Sequence, residues 1–259
     1  MIENKVLIKN IEINYKIFGG GRPIDNKVFL ILHGWGSSSD KWIKEAEIIS
    51  QRGFRVIIPD LPGFGASQNL EKPWTVNNYI GWFEEFTKII NVENFYLLGH
   101  SFGGALALKI AVKYPQRVQR LFLVAVAVIR KKTNKKKFFA KISKIVKLFY
   151  FLPYYYYFRK AVYKFIIKKS DYVYTEGIMK ETYLNVVGED IYHYLSYIKI
   201  TTVIIWGDKD QSVPVEDAYL INEKIKNSKL VIIPDADHLM HKKIPEILAE
   251  KILENLSPA

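Results

Sequence analysis

The sequence predicts an α/β fold in which a mostly parallel central sheet is covered by helices on both faces and interrupted by a segment of different character. Three observations predict it. Short apolar runs alternate with stretches of helical periodicity up to residue 128 and again from about residue 199. One apolar run, 94–98, leads straight into Gly99-His100-Ser101-Phe102-Gly103 and then into the helix-forming Gly104-Ala105-Leu106-Ala107-Leu108. Between the two alternating parts the composition changes sharply. The 259 residues are enough for one large core of this kind.

In chain order, the first element is a hairpin with arms at 5–8 and 11–18. Its second arm alternates, with Ile11, Ile13, Tyr15 and Ile17 expected on one face. A strand at 28–32, a helix over 39–51, a strand at 55–59, a helix over 76–90 and the strand at 94–98 follow. The apolar run 121–128 and strands at 202–207 and 230–234 complete the sheet. Such a sheet places its site at the carboxyl ends of the strands.

In a strand-to-helix turn as tight as 99–103, side chains at the two glycine positions would collide. Ser101 is therefore expected in a strained conformation, with its hydroxyl lifted above the sheet edge. A serine hydroxyl is a poor nucleophile at neutral pH unless a histidine removes its proton. That histidine in turn needs a carboxylate to fix its tautomer. The chain offers Gly207-Asp208-Lys209-Asp210 at the end of one strand and Asp235-Ala236-Asp237-His238 at the end of the next.

Two further landmarks lie at strand ends: His33-Gly34-Trp35-Gly36 after 28–32, and Asp60-Leu61-Pro62-Gly63-Phe64-Gly65-Ala66-Ser67 after 55–59. With these motifs in this order, the chain resembles the α/β-hydrolase family over residues 1–128 and about 199–259. The resemblance implies a core built from those two segments and a basic, aromatic-rich helical cap, or lid, at 129–198. It also implies a catalytic Ser101, Asp210 and His238. Asp210 matches the family's acid position three residues past Gly207, while Asp208 is expected to cap the turn. The residues after the 121–128 run, Ile129-Arg130-Lys131-Lys132, contain no carboxylate, which closes the other place where relatives carry the acid. His238 sits at the end of its strand on a loop able to reach across the sheet edge, whereas His241 is expected to make an ordinary polar contact. His33 and His100 are read as hydrogen-bonding scaffolds and His193 as structural. The oxyanion donors are expected to be the backbone N–H groups of Phe102, the residue after the nucleophile, and of Trp35, which matches the family position.

The implied activity is hydrolysis of a small or medium apolar carboxylic ester or lactone, with no metal or organic cofactor. Serine rather than aspartate at the turn argues against dehalogenase and epoxide-hydrolase chemistry. Thioester, amide and carbon–carbon bond hydrolysis stay open, as does a hydrolase-like receptor with slow turnover, because the same three residues serve all of them.

The absence of cysteine excludes a thiol nucleophile, a disulfide framework and cysteine-held metal. The start, Met1-Ile2-Glu3-Asn4-Lys5, has an early acid and no apolar signal region, and no apolar run approaches a membrane span, so a cytoplasmic enzyme is expected. The net charge of +12 is local: residues 130–169 hold fourteen Lys or Arg and no Asp or Glu. Within them, 138–149 carries apolar residues at helical spacing opposite Lys141, Lys144 and Lys147. Two readings of this segment stand: a soluble lid with solvated lysines, or weak contact with an anionic membrane surface. Nucleic acid is not expected, since lysines paired with buried aromatics match no recognition module. Replacing Lys135, Lys136 and Lys137 by Gln should leave turnover of a neutral short ester within about twofold, because solvated charges contribute little. On anionic vesicles, sedimentation decides between the readings: adsorption weakened by on the order of a hundredfold fits membrane contact, and no salt-sensitive adsorption by the unchanged protein leaves the soluble lid.

Overall fold

The computed structural model describes residues 1–19, 27–128, 155 and 175–256. Met1–Ile129 and Gly177–Ala259 form one compact unit, and Arg130–Glu176 form a second. The expected helix at 138–149 and the tyrosine run at 154–157, Tyr155 apart, lie outside the described residues.

The first unit is built on an eight-stranded sheet in the order β1-β2-β4-β3-β5-β6-β7-β8. Its strands are β1 (Ile2–Ile8), β2 (Ile11–Phe18), β3 (Val28–Leu32), β4 (Arg55–Pro59), β5 (Phe95–His100), β6 (Val118–Val124), β7 (Thr202–Gly207) and β8 (Ser228–Ile233). The first hairpin pairs antiparallel and joins β4 antiparallel; every pairing from β4 through β3, β5, β6 and β7 to β8 is parallel. This is the mostly parallel sheet that the sequence predicts.

Both faces of the central strands are covered, which explains runs such as Val28–Leu32 that are apolar throughout and buried throughout. Side chains alternate between two cores. Leu30, Leu32, Leu97, Leu121, Leu123 and Ile204 pack with α2 (Val76–Ile89), α3 (Phe102–Lys113) and α5 (Val215–Lys224). Phe29, Ile31, Leu98, Phe122, Val203 and Ile205 pack with α1 (Ile43–Ser50) and α7 (Pro245–Glu254) on the other face. The start of α2 is fixed by a capping box. The Asn78 N–H donates to Thr75 Oγ1, and the Thr75 N–H donates to Asn78 Oδ1.

Several expectations change in detail. The helix expected over 39–51 divides into a 3-10 turn, Ser39–Trp42, followed by α1. The Ser39 N–H at its start is taken by the Asp60 carboxylate. The run 121–128 is buried apart from Ala127, which is half-buried, but β6 stops at Val124 because Ala125 adopts φ 46 and turns the chain. On β2 the predicted face does pack on the core, yet the polar residues opposite are equally hidden: Asn14 and Lys16 are buried. Lys16 Nζ pairs with Glu3 and Asp40, and Asn14 Nδ2 donates to Glu3 and Asp60, so hydrogen bonds offset the burial of this polar row.

The expected cap range, 129–198, coincides with the second unit only as far as Glu176. From Gly177 the chain belongs to the first unit: α4 (Gly177–Gly188) and a 3-10 turn (Tyr192–Tyr197) bury Val186 and Leu195 in the core. The Trp74 N–H donates to Thr182 Oγ1 at 3.0 Å, and Glu189 pairs with Lys109 of α3. A short α6 (Met240–Lys243) precedes α7. Among the described residues no helix is long and apolar enough to cross a membrane.

One buried group carries a measurable consequence. Glu45 of α1 is fully buried, and neither carboxylate oxygen has a hydrogen-bond partner among the described residues. Burial first, and then the charge of Glu246, push its carboxyl from 4.5 up to about 8. Below pH 4.5 the group is protonated in folded and unfolded chains alike; between 4.5 and 8 only the unfolded chain ionises, so stability falls with rising pH and then levels off. Glu45→Gln removes this dependence. Urea unfolding should show the variant gaining on the unchanged protein by about 3 kcal/mol between pH 4.5 and 7. A gap that stays constant over that interval contradicts the assignment.

Candidate active site

The site is formed where β5 turns into α3. Ser101 adopts φ 51 and ψ −112, a left-handed backbone that a side chain seldom takes without constraint. The constraint is close backbone packing. A Cβ on Gly99 would lie 2.3 Å from the Gly103 carbonyl oxygen, and one on Gly103 would lie 2.1 Å from that of Leu32. Only glycine fits at either position, and the first turn of α3 is thereby pressed against the end of β3. The sharp turn leaves Ser101 partly exposed while its neighbours His100 and Phe102 are buried.

The loop after β3 lies against this turn: a Cβ on Gly34 would stand 3.3 Å from the Cβ of Ser101. His33 fixes the loop. The Leu61 N–H donates to its Nε2 at 3.0 Å, so the ring proton sits on Nδ1, which donates to the Gly34 carbonyl at 2.8 Å. Burial lowers the pKa of His33 and keeps it neutral. Asp60, beside Leu61, braces the same region by accepting from the N–H groups of Ser39 and Ala66 and from Asn14 Nδ2. Burial opposes its charge, but these hydrogen bonds together outweigh it and hold the carboxyl below its ordinary range.

Trp35 and Phe102, the two expected oxyanion donors, are brought together, with their rings 5.4 Å apart. Phe102 is the first residue of α3, where N–H groups have no acceptor within the helix. Trp35 also contacts Phe64 at 4.9 Å and Tyr183 of α4 at 5.1 Å, so an aromatic wall flanks the loop. Tyr183 is a contribution that the sequence did not reveal, because nothing in the 129–198 segment marks which residues return to the core.

Asp210 and His238 meet at the ends of β7 and β8. A Cβ on Gly207 would fall 2.2 Å from the Ala236 carbonyl oxygen, which shows how closely the two loops approach. His238 Nδ1–H donates to Asp210 Oδ2 at 2.7 Å, and the carboxylate is wholly buried. Its other oxygen accepts from the N–H groups of Ser212 and Val213 at 2.7 and 2.8 Å. Capping of this turn, expected of Asp208, is thus performed by Asp210 itself, and Asp208 is exposed. With Nδ1–H engaged, Nε2 of His238 is the ring atom left to accept a proton.

His100 scaffolds the site as expected: its Nε2–H donates to the His238 carbonyl at 3.0 Å. His241 departs from expectation. In place of an ordinary polar contact, its ring is buried flat against Trp42, 4.9 Å away at 9°, and neither nitrogen has a hydrogen-bond partner among the described residues. His193 is exposed beside Tyr194. The described residues hold no group of three or more His, Cys, Asp or Glu able to bind a metal ion.

The sequence pattern of the alpha/beta hydrolase fold matches residues 27–175 and 180–243. Lipase 3 of a Moraxella species is 28% identical, over 86% of this chain and 75% of its own. A matching Mycobacterium tuberculosis protein is 33% identical over 46% of this chain, and the chain spans 33% of that protein's length. A solved hydrolase of Pseudomonas aeruginosa superposes with a TM-score of 0.76 at 20% identity, covering 99% of this chain and 98% of its own. Fold, glycine turn and matched pattern agree: the chain belongs to the alpha/beta hydrolase fold family.

Proposed function

We propose that the protein is a serine hydrolase that cleaves a small or medium apolar carboxylic ester or lactone through an acyl-enzyme. The observation that carries this reading is the His238–Asp210 hydrogen bond of 2.7 Å, which leaves Nε2 as the proton acceptor at the same sheet edge as the strained Ser101. The aromatic wall of Trp35, Phe64 and Tyr183 supports an apolar substrate, and the lipase name borne by one relative is in keeping with ester chemistry.

In this mechanism Ser101 Oγ attacks the carbonyl carbon while its proton passes to His238 Nε2. Asp210, hydrogen-bonded at Nδ1, stabilises the imidazolium that results. The carbonyl oxygen becomes an oxyanion held by the N–H groups of Phe102 and Trp35, each such donor contributing about a hundred- to a thousandfold in rate. As the tetrahedral intermediate collapses, the bond to the leaving oxygen breaks and His238 returns the proton to the alcohol. Water then gives a proton to His238 and attacks the acyl-enzyme; the bond from the carbonyl carbon to Ser101 Oγ breaks, His238 returns the proton to Oγ, and the acid is released. With a lactone, the alcohol and acid are ends of one molecule.

A panel of esters, lactones and thioesters with purified protein tests the substrate class. On the best ester, Ser101→Ala should lower kcat by on the order of a millionfold, and Asp210→Asn by about ten-thousandfold through the wrong histidine tautomer. Ser101→Ala retaining a tenth of the activity, or Asp208→Asn proving the more damaging of the two aspartate changes, contradicts the reading.

A further inference from the structure

Behind the proposed general base stands a series of aromatic rings that the reaction itself does not use. Trp42 of the 3-10 turn stacks on His241 of α6 at 4.9 Å. His241 lies 4.4 Å from His100 at the end of β5, and His100 lies 4.9 Å from His238. Four ring-bearing residues thus run from the core to the base. We propose that His100 and His241 are positioning residues for His238, His100 holding its backbone by a hydrogen bond and His241 holding the His100 ring in the plane that bond requires.

The division of labour follows from the contacts. A carbonyl oxygen can only accept, so the proton of His100 is on Nε2 and its direction depends on the ring's rotation. Asp210 fixes the His238 ring from the β7 side, while His100 fixes the His238 main chain from the β5 side. The His100 ring makes no other hydrogen bond among the described residues, since its Nδ1 is buried without a partner. What keeps its ring from rotating is therefore packing, and His241 and Trp42 supply it, with the Trp42 and His100 rings 5.7 Å apart.

The supporting rings also stay uncharged. Burial, and after it the charges of Lys242, His238 and His33 against that of Asp237, bring His241 down to about 3. Burial, followed by His241 and His238, puts His100 well below its ordinary value. A charge on either ring would oppose the imidazolium that forms on His238 during the reaction.

The proposal rests on His238 being the general base, and the experiment keeps the two apart. His238→Ala, His241→Leu and His241→Phe are compared with the unchanged protein for kcat and KM on one neutral ester and for thermal unfolding. Neither His241 change breaks a hydrogen bond among the described residues, so both variants should unfold near the temperature of the unchanged protein. The leucine variant, lacking a flat ring, should lose about tenfold in kcat with KM within about twofold, and the phenylalanine variant should recover kcat to within about threefold. Should leucine prevent folding, His241→Met takes its place with the same expectation. A leucine or methionine variant with kcat within about twofold of the unchanged protein, or a phenylalanine variant equally impaired, overturns the positioning role. His238→Ala retaining about a tenth of the activity or more overturns the base assignment, and this proposal with it.

Discussion

Close backbone packing at the turn between β5 and α3 is the constraint on which the rest of the site depends. Gly99 and Gly103 bring the first turn of α3 within van der Waals reach of the β3 end, with no room for a Cβ at either position. Two consequences follow from that approach. Ser101 is held in a left-handed backbone at the sheet edge, and the His33-Gly34-Trp35 loop is brought beside it. Local strain at Ser101 persists because two parallel strands and a buried helix over-determine it.

The same logic of close approach recurs across the sheet edge. Gly207 lets the loops after β7 and β8 touch, which puts Asp210 and His238 in hydrogen-bonding range although 28 residues separate them. Asp60 and His33 perform the equivalent task on the other side, tying the loop after β4 to the loop after β3 through buried hydrogen bonds. Asp210, which accepts from the Ser212 and Val213 N–H groups, and His33, held between the Leu61 N–H and the Gly34 carbonyl, are thereby each fixed in orientation by more than one hydrogen bond. Buried polar groups paired in this way rigidify a site, where unpaired ones would weaken it.

Much of this was legible in the sequence because it depends on local pattern. Glycine spacing around Ser101 announces the turn, and apolar runs ending in Asp60, Asp210 and His238 announce loops at one sheet edge. What the sequence hid depends on tertiary contact. Periodicity marks Ile13 and Tyr15 as core but cannot show that Asn14 and Lys16 are buried too, since beyond Glu3 on the paired strand their charged partners are Asp60 and Asp40, far along the chain. The run to Val128 reads as strand, and only the left-handed turn at Ala125 ends it. His241 reads as polar because imidazole usually seeks a partner, whereas here its ring lies flat on Trp42, which is remote in sequence. The return of the chain to the core at Gly177 has no sequence mark, because α4 is only weakly amphipathic and few of its residues are buried.

The central claim is that Ser101 is a nucleophile activated at this turn, and covalent labelling is its most direct test. A fluorophosphonate forms a stable phosphonyl ester with an activated serine, releasing fluoride, and intact-protein mass spectrometry counts the adducts while peptide mapping locates them. The expected result is a single adduct per chain, on the peptide containing Ser101, formed within minutes and absent after denaturation. No adduct on the folded protein, or an adduct on another serine with Ser101 unmodified, contradicts the claim.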